Sequence, residues 1–359
     1  MKKQEYLNHV REMLKECDES FVKDILCDFE EHFEQGADAG KTEEEVAESL
    51  GDISEWIEEV KKEYAKKQLP EIVEESETHE IRKVLIKADS VDVEVSGGSD
   101  EISWNLMDNW AKMNVHNYQV IETVSRGRLM LEVLPKEKSH FGIMASHVHF
   151  VLNLVDELEE VRIETSSGDI DVEDTHAEVF KLHARSGDVT VEDIEGDLWI
   201  KTQSGDIDVK CSELGQLILN STSGDIDVSV DEAEEINIKS TSGEIEVETE
   251  ESESMTLSST SGDIEVEGEV KHLKVSSSSG DVEISCTNPE AVMIHTASGD
   301  VEAKLKGCRG MQGITETGSG DVDIDFEGVS YHTGSGFSWG DGSTQVVIKT
   351  GSGDISVSE

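Results

Sequence analysis

The sequence predicts a small all-α helical module followed by an all-β parallel β-solenoid. Three observations carry this prediction. Apolar residues recur at three- and four-residue spacing in the first part of the chain, as on one face of a helix. From residue 81 onward apolar and polar residues alternate, as in a half-buried strand. An SG(D/E) tripeptide then returns, mostly at steps of 18 or 19 residues. Units this short bury a face only by stacking on one another, so each tripeptide marks one coil.

Residues 1–67 form the predicted helical module. Its two apolar sets comprise Val22, Ile25, Leu26, Phe29 and Phe33, then Ile53, Trp56, Ile57, Val60 and Tyr64. Between these sets, Gly36 and Gly40 are typical helix stops, and Thr42 with Glu45 forms a capping box. Three or four small packed helices are therefore expected. Residues 68–80 combine a proline with an acidic run, which favours a linker.

Residues 81–165 are interpreted as an irregular β region that caps the array, with "NLMDNWAKM" as its one candidate helix. The regular solenoid is predicted over residues 166–359. The repeated glycine falls at Gly168, Gly187, Gly205, Gly224, Gly243, Gly262, Gly280, Gly299, Gly320 and Gly353, with a variant around Gly336. Glycine permits a positive φ at a tight corner. Each coil is thus expected to turn at SG and to begin its next strand at the acid.

Apolar residues on both sides of the tripeptide are predicted to point inward. They include Ile226 and Val228 after one corner, and Leu217 and Leu219 before it. Two positions before the repeated serine stands a small, mostly hydroxylated residue: Thr165, Ala184, Thr202, Ser221, Ser240, Ser259, Ser277, Thr296, Thr317, Thr333 and Thr350. Such a side chain fits a tight corner and can bond to its own backbone.

The acid after the repeated glycine forms a column along the predicted rod. Its members are Asp169, Asp188, Asp206, Asp225, Glu244, Asp263, Asp281, Asp300, Asp321 and Asp354. Like charges about 5 Å apart in water repel by roughly 1 kcal/mol, so the column needs an offset. The favoured interpretation is that turn amides donate hydrogen bonds to the carboxylates, and no cofactor is then predicted. The alternative is capture of Ca²⁺, although the glycine-rich nonapeptide of calcium-binding β-rolls is absent.

The composition limits the function. The chain has 81 acidic against 30 basic residues and a formal charge of −51, which disfavours nucleic acid and direct insertion into a bilayer. The five cysteines form no CxxC motif, and the first residues lack the apolar stretch of a signal peptide. These features favour a reducing compartment, so we expect a cytoplasmic protein. The charge could instead reflect a halophilic host, and that alternative stays open.

Catalytic groups are not predicted. A solenoid sugar lyase or hydrolase needs convergent acids with a basic group, whereas Arg185 and Arg309 are the only arginines after residue 165. His147 and His149 form an HxH pair, but no third ligand stands at zinc spacing beside them. Trp339, in the glycine-rich "TGSGFSWGDGS", is expected to pack or to cap the rod.

The motifs resemble two families. The SG(D/E) strings resemble the bacterial family labelled "putative adhesin", which implies a β-solenoid. The stretch "FVKDILCDFEEHFEQGADAGKTEEEVAESLG" is similar to the small helical signalling domain called HAAS, and the combination resembles YvlB-type proteins of Gram-positive bacteria. This resemblance implies links to cell-envelope stress and, as partner, a PadR-like regulator or a phage-shock-type membrane protein. The residues implied to contact that partner are Phe29, Glu30, His32, Phe33, Leu50 and Gly51.

The favoured function is that of a non-enzymatic cytoplasmic signalling or scaffold protein that acts through protein–protein contacts. One alternative is an exported or surface-associated adhesin-like solenoid that binds cations. Another is a carbohydrate-active enzyme, which the fold class alone supports.

Overall fold

The computed structural model describes residues 2–13, 26, 33, 42, 46, 80–108, 115, 118–136, 148–331 and 336–359. The chain divides into two compact units, Met1–Thr78 with Trp110–Met113, and His79–Asn109 with Asn114–Glu359. Most of the predicted helical module and of the linker, including Phe29, Glu30, His32, Leu50 and Gly51, lies outside the described residues. No helix in the described part of the chain is long and apolar enough to cross a membrane.

In the first unit, helix α1 spans Lys3–Met13. Its residues Tyr6, Leu7 and Val10 are buried, at the three- and four-residue spacing of one helix face. The ring of Tyr6 packs edge-on against Phe33, with centroids 5.6 Å apart. These residues therefore form part of the apolar core of this unit.

The second unit is a sheet that coils on itself. Its described residues form 24 strands: β1 Lys83–Ala88, β2 Asp92–Ser96, β3 Ser103–Asp108, β4 Tyr118–Ser125, β5 Arg128–Pro135, β6 Val148–Asn153, β7 Leu158–Thr165, β8 Ile170–Glu173, β9 His176–Ala184, β10 Val189–Glu192, β11 Glu195–Thr202, β12 Ile207–Asn220, β13 Ile226–Ser242, β14 Ile245–Ser261, β15 Ile264–Ser277, β16 Val282–Thr287, β17 Ala291–Thr296, β18 Val301–Lys306, β19 Gly310–Thr317, β20 Val322–Asp325, β21 Ser330–Tyr331, β22 Gly336–Gly340, β23 Thr344–Thr350 and β24 Ile355–Ser358.

Successive coils stack in parallel, which confirms the predicted solenoid. Each coil has an upstream strand before the SG(D/E) corner and a downstream strand after it. Ile207 pairs with Ile226, one coil further on, and Leu217 pairs with Ile236 in the same way. Strands β12 to β15 each run from one downstream position into the next upstream position without a break. In these coils the strand conformation is therefore interrupted only at the SG(D/E) corner.

The predicted inward residues form one continuous core. Ile226, Val228, Leu217 and Leu219 are all at most 1% exposed, and they belong to a single buried cluster that follows the rod. The hydroxylated column is also buried from Thr165 to Thr296, and Thr350 is buried at the far end. Thr317 is half-buried, and Thr333 lies outside the described residues.

The coils at both ends of the rod do not stack in chain order. Strand β1 lies between β5 and β7, and β2 lies between β6 and β8. At the other end β23 lies between β17 and β19, and β24 between β18 and β20. The first and the last coil of the sequence are therefore each covered by a neighbouring coil.

Antiparallel strands close the two ends. Strand β3 pairs with β6 and β4 with β5 at one end, while β22 pairs with β19 and with β21 at the other. The expectation of a helix at "NLMDNWAKM" is wrong for its first residues, because Asn105, Leu106, Met107 and Asp108 belong to β3. Gly336 begins the antiparallel β22, so the variant repeat there is not a coil corner. Trp339 packs on Phe326, with ring centroids 5.1 Å apart, as the packing prediction required.

Candidate functional site: the corner and the outward faces of the coils

The repeated glycines stack directly on one another. A Cβ added to Gly187 would lie 2.1 Å from the carbonyl oxygen of Gly168, and one added to Gly224 would lie 2.2 Å from that of Gly205. Contacts this short leave no space for a side chain. The φ of Gly224 is +114°, as predicted, whereas the φ of Gly168 and of Gly187 falls outside the positive range. Close stacking is therefore the requirement common to these corners, and positive φ is an additional one at many of them.

The aspartates after these glycines form a hydrogen-bonded ladder. The main-chain N–H of Asp206 donates to Oδ1 of Asp188 at 2.9 Å, and that of Asp225 donates to Oδ1 of Asp206 at 2.8 Å. Equivalent bonds join the acids at 169 and 188, 225 and 244, 263 and 281, and 281 and 300. The predicted hydrogen bond to an amide exists, but its donor is the amide of the next coil. Each rung therefore links two coils.

The first end of the ladder departs from the SG(D/E) motif, and the far end departs from the chain order of the repeats. Its first acceptor is Asp92, which bonds the N–H of Asp169 at 3.0 Å although no SG precedes it. At the far end Asp300 accepts from Asp354, and Asp354 from Asp321, which follows the exchanged order of the last coils. Among the hydrogen bonds of the described residues, no rung joins Glu244 to the N–H of Asp263. Glutamate is one methylene longer, which explains the interruption.

The small hydroxylated residues close the corner from inside. Thr165 Oγ1 donates to the carbonyl of Gly168 at 2.9 Å, and Ser240 Oγ donates to that of Ser242 at 3.0 Å. These bonds confirm the expected contact with the local backbone. The Oγ atoms of Ser259 and Ser277 are buried without a hydrogen-bond partner among the described residues.

The outward residues of the downstream strands form a second line of mostly acidic side chains, here called the acidic row. By strand register it contains Glu94, Asp171, Thr190, Asp208, Asp227, Glu246, Glu265, Glu283 and Glu302. Neighbouring strands lie about 4.8 Å apart, so these side chains are in mutual reach. Lys210 contacts Asp208 at 2.8 Å, and Lys304 contacts Glu302 at 2.9 Å. Lysines thus neutralise part of the negative charge of the acidic row.

Two carboxyl groups of the acidic row, those of Asp171 and Glu246, have raised pKa values. Burial raises the pKa of Asp171, and the charges of Glu94 and Asp169 raise it further. Desolvation also raises the pKa of Glu246, followed by the charges of its row neighbours Asp227 and Glu265. At these two positions burial and the neighbouring charges disfavour the ionised carboxylate, and a proton, a cation or a basic partner would relieve that cost.

One histidine of the HxH pair contacts a carboxylate. His149 Nδ1 lies against the carboxylate of Glu94 across strands β6 and β2. His147 lies outside the described residues. No group of three or more His, Cys, Asp or Glu side chains in the described part of the chain could hold a metal ion. The histidine belongs instead to the outward surface beside the acidic row.

One of the predicted partner-contact residues is described. Phe33 is 3% exposed and packs on Tyr6. Its direct role at a partner surface stays a prediction, as do those of the other five residues. The repeat-turn residues Gly168, Asp169, Gly187, Asp188, Gly205, Asp206, Gly224, Asp225, Gly262, Asp263, Gly280, Asp281, Gly299 and Asp300 all lie at the stacked corners.

Several solved structures resemble this chain. A "putative cell adhesion protein" of Clostridium sporogenes is 12% identical, with a TM-score of 0.23, over 77% of this chain and 93% of its own. A "putative adhesin" of Bacteroides fragilis is 16% identical, with a TM-score of 0.31, over 78% and 93%. A "putative lipid binding protein" of Parabacteroides distasonis is 14% identical, with a TM-score of 0.33, over 77% and 92%. No curated protein matches the chain.

Two family models match the sequence. The HAAS model matches residues 5–59, which confirms the resemblance of the helical module. The model described as Toastrack DUF4097 matches twice, over residues 73–237 and 196–358, and so spans most of the chain. The chain therefore belongs to the Toastrack DUF4097 family.

Proposed function

We propose that this protein is a non-enzymatic cytoplasmic scaffold in envelope-stress signalling, and that it acts through protein–protein contacts. The observation that carries the proposal is the acidic row. Six strands that stack on one another, β12 to β16 and β18, place a carboxylate at the same outward position, from Asp208 to Glu302. A stacked core holds these groups at fixed spacing. Such a surface favours a partner with a matching series of basic side chains.

The hydrogen bonds of the corner acids indicate that the repeated acid has a structural role. Their carboxylates accept main-chain hydrogen bonds from the next coil, so the repeated aspartate builds the rod. A catalytic acid needs a carboxyl group aimed at a substrate, with a second group in a complementary protonation state. The repeat offers instead one environment copied along the rod. This uniformity favours a binding scaffold over an enzyme.

The helical module supplies the proposed signalling contact. Its match to HAAS supports a partner of the PadR-like regulator class or a phage-shock-type membrane protein. In this proposal the module recognises the regulator, while the acidic row holds a second, basic protein. Cofactors are not required for either contact.

The test is affinity capture with the full chain as bait in lysate of the native host, read by quantitative mass spectrometry. In one variant the acidic row loses three charges through Asp227→Asn, Glu246→Gln and Glu265→Gln. A control loses three charges on the upstream strands through Glu132→Gln, Glu164→Gln and Glu316→Gln. We expect a regulator in all three captures, and a basic partner that the first variant alone loses.

Equal loss of the basic partner in both variants would mean that net charge, rather than the acidic row, attracts it. Capture of no regulator by any bait would contradict the signalling role. Fractionation of host cells would test the location, because an exported adhesin would appear in the medium or at the surface rather than in the cytoplasm.

A further inference from the structure

The outward surface of the upstream strands differs in charge from the acidic row. Strand register aligns one outward position of every upstream strand into a single line, here called the neutral row. In spatial order it contains Met130, Leu85, Arg162, Lys181, Trp199, Ile218, Asn237, Thr256, Lys274, Met293, Val347 and Ile314. None of these residues is acidic, although the chain carries 81 acids.

Large apolar side chains of the neutral row are open to solvent. Trp199 is 44% exposed, Met293 40% and Ile314 41%. Lys181 Nζ lies 5.8 Å from the ring centroid of Trp199, so the cation leaves much of that ring uncovered. Aromatic and methionine side chains are enriched at protein interfaces, and a monomer rarely exposes a large contiguous apolar patch.

The rows on either side of the neutral row are nearly balanced in charge. Their cations are Lys83, Lys87, Arg128, Lys201, Lys239 and Lys349, and their acids are Glu132, Glu160, Glu164, Asp197, Glu235 and Glu316. Some are already paired, as in Lys181 with Glu160 at 3.1 Å and Lys349 with Glu316 at 2.7 Å. This face therefore lacks the net negative charge of the molecule as a whole.

Charge decides which partner fits. The formal charge of −51 makes two copies repel when acidic surfaces face each other. That repulsion is weakest where the neutral rows meet, because they bring apolar surface together without adding acids. An anionic bilayer could also meet the cations of this row, but it would face the same long-range repulsion without a comparable apolar fit. A second copy is the better partner.

The available area suits a stable dimer. The neutral row runs along the rod for on the order of 50 Å, given strands about 4.8 Å apart, and three adjacent outward rows span roughly 15 Å. Their product is about 750 Å² for each copy, close to the ~800 Å² for each partner in a standard interface.

We propose that two copies of this chain associate sheet against sheet through the neutral row, with the rods antiparallel. A parallel arrangement would place each of the three cations against itself. In the antiparallel arrangement Arg162 faces Met293, and two apolar residues near the ends of the row, Leu85 and Val347, face each other. Only Lys181 and Lys274 then meet as like charges. A two-fold contact of this kind closes on itself and forms no filament.

Sedimentation velocity of the full chain tests the proposal, from about 1 to about 100 µM protein, since dimerisation depends on concentration. We expect a monomer–dimer equilibrium. Trp199→Glu should weaken it at least about tenfold, and Met293→Glu should do the same. The matched control is Met107→Glu, which changes a side chain that is 39% exposed and lies on β3, outside the neutral row. The control should dimerise like the unmodified chain.

The dependence of binding on salt distinguishes the two candidate partners, a second copy of the chain and an anionic bilayer. Higher NaCl should strengthen the dimer, because it screens the overall repulsion between copies. Vesicles of phosphatidylglycerol provide the competing test. If the chain stays monomeric throughout and binds these vesicles at low salt, with release at high salt, the proposal fails and the row is a lipid surface. A dimer that Trp199→Glu and Met293→Glu leave intact would also overturn it. Circular dichroism of both variants checks that they fold.

Discussion

Replacing Gly224 by alanine tests whether the repeated glycine is required by stacking. Its φ is +114°, and an added Cβ would lie 2.2 Å from the carbonyl oxygen of Gly205 and 2.7 Å from its carbonyl carbon. Both atoms belong to backbone, which cannot rotate away as a side chain could. The substitution therefore meets a φ cost and an overlap cost together.

Two other glycines separate these costs. Gly187 has no positive φ, but its Cβ would lie 2.1 Å from the carbonyl oxygen of Gly168. Gly328 has a φ of +85° with nothing within 4 Å of an added Cβ. The φ cost is about 1–3 kcal/mol. Forced overlap in a packed region costs about 1–3 kcal/mol or more. We expect roughly 2–6 kcal/mol for Gly224→Ala, and about half of this for each of the other two.

Urea unfolding of the full chain, followed by far-UV circular dichroism at the β-sheet band, measures these losses as shifts in midpoint at constant slope. Of the three variants, we expect Gly224→Ala to lose the most stability. If Gly328→Ala destabilises the rod as much as Gly224→Ala, then φ alone explains the glycine and the stacking argument is refuted. If Gly187→Ala costs nothing, the coils can move apart and the corner is not close-packed.

Three further predictions concern the acids. Asp206→Ala should cost about 1–2 kcal/mol in the same urea experiment, because it removes the acceptor for Asp225 N–H, whereas Asp227→Ala, outside the ladder, should cost less or stabilise. The raised folded pKa of Asp171, due to burial and then to Glu94, means that the folded state binds its proton more tightly than the unfolded chain. Stability should therefore rise as pH falls through that pKa toward the ordinary 3.8, and Asp171→Asn should reduce the rise in melting temperature measured as the pH is lowered from neutral toward that value. Millimolar Ca²⁺ should raise the melting temperature no more than Mg²⁺ at matched ionic strength, and a selective calcium shift would contradict the structural role of the ladder.

Sequence alone could predict the repeating part of the coil. The alternation around Ile226 and Val228 is a local property, and burial of one face follows from it without knowledge of neighbouring coils. The corner glycine and the small hydroxylated residue were predictable for the same reason. The amide that binds each aspartate was not, because Asp206 and its donor Asp225 come from different coils. Such a bond depends on register between strands.

The order of the end coils could not be read from the repeat. Every coil offers the same alternating edge, so the pattern of β1 fits β5 and β7 as well as it would fit another strand. Only the complete set of pairings decides between them. The misjudged segments also lie at these ends: the start of "NLMDNWAKM" lies in β3 and Gly336 begins β22, where strands turn antiparallel and the repeat no longer determines the structure.

The ladder explains how one repeat can carry two different surfaces. Repulsion between neighbouring carboxylates costs about 1 kcal/mol for each pair in water, while a charge-assisted hydrogen bond returns a similar amount. The hydrogen bond therefore offsets the repulsion, and each rung is satisfied only when two coils are in register. Once glycine stacking and the ladder fix that register, outward residues are free to differ without loss of the fold. Asp227 and Asn237 lie on the same strand, β13, yet the first belongs to the acidic row and the second to the neutral row. The separation of charge between the two faces must therefore arise from the outward residues themselves.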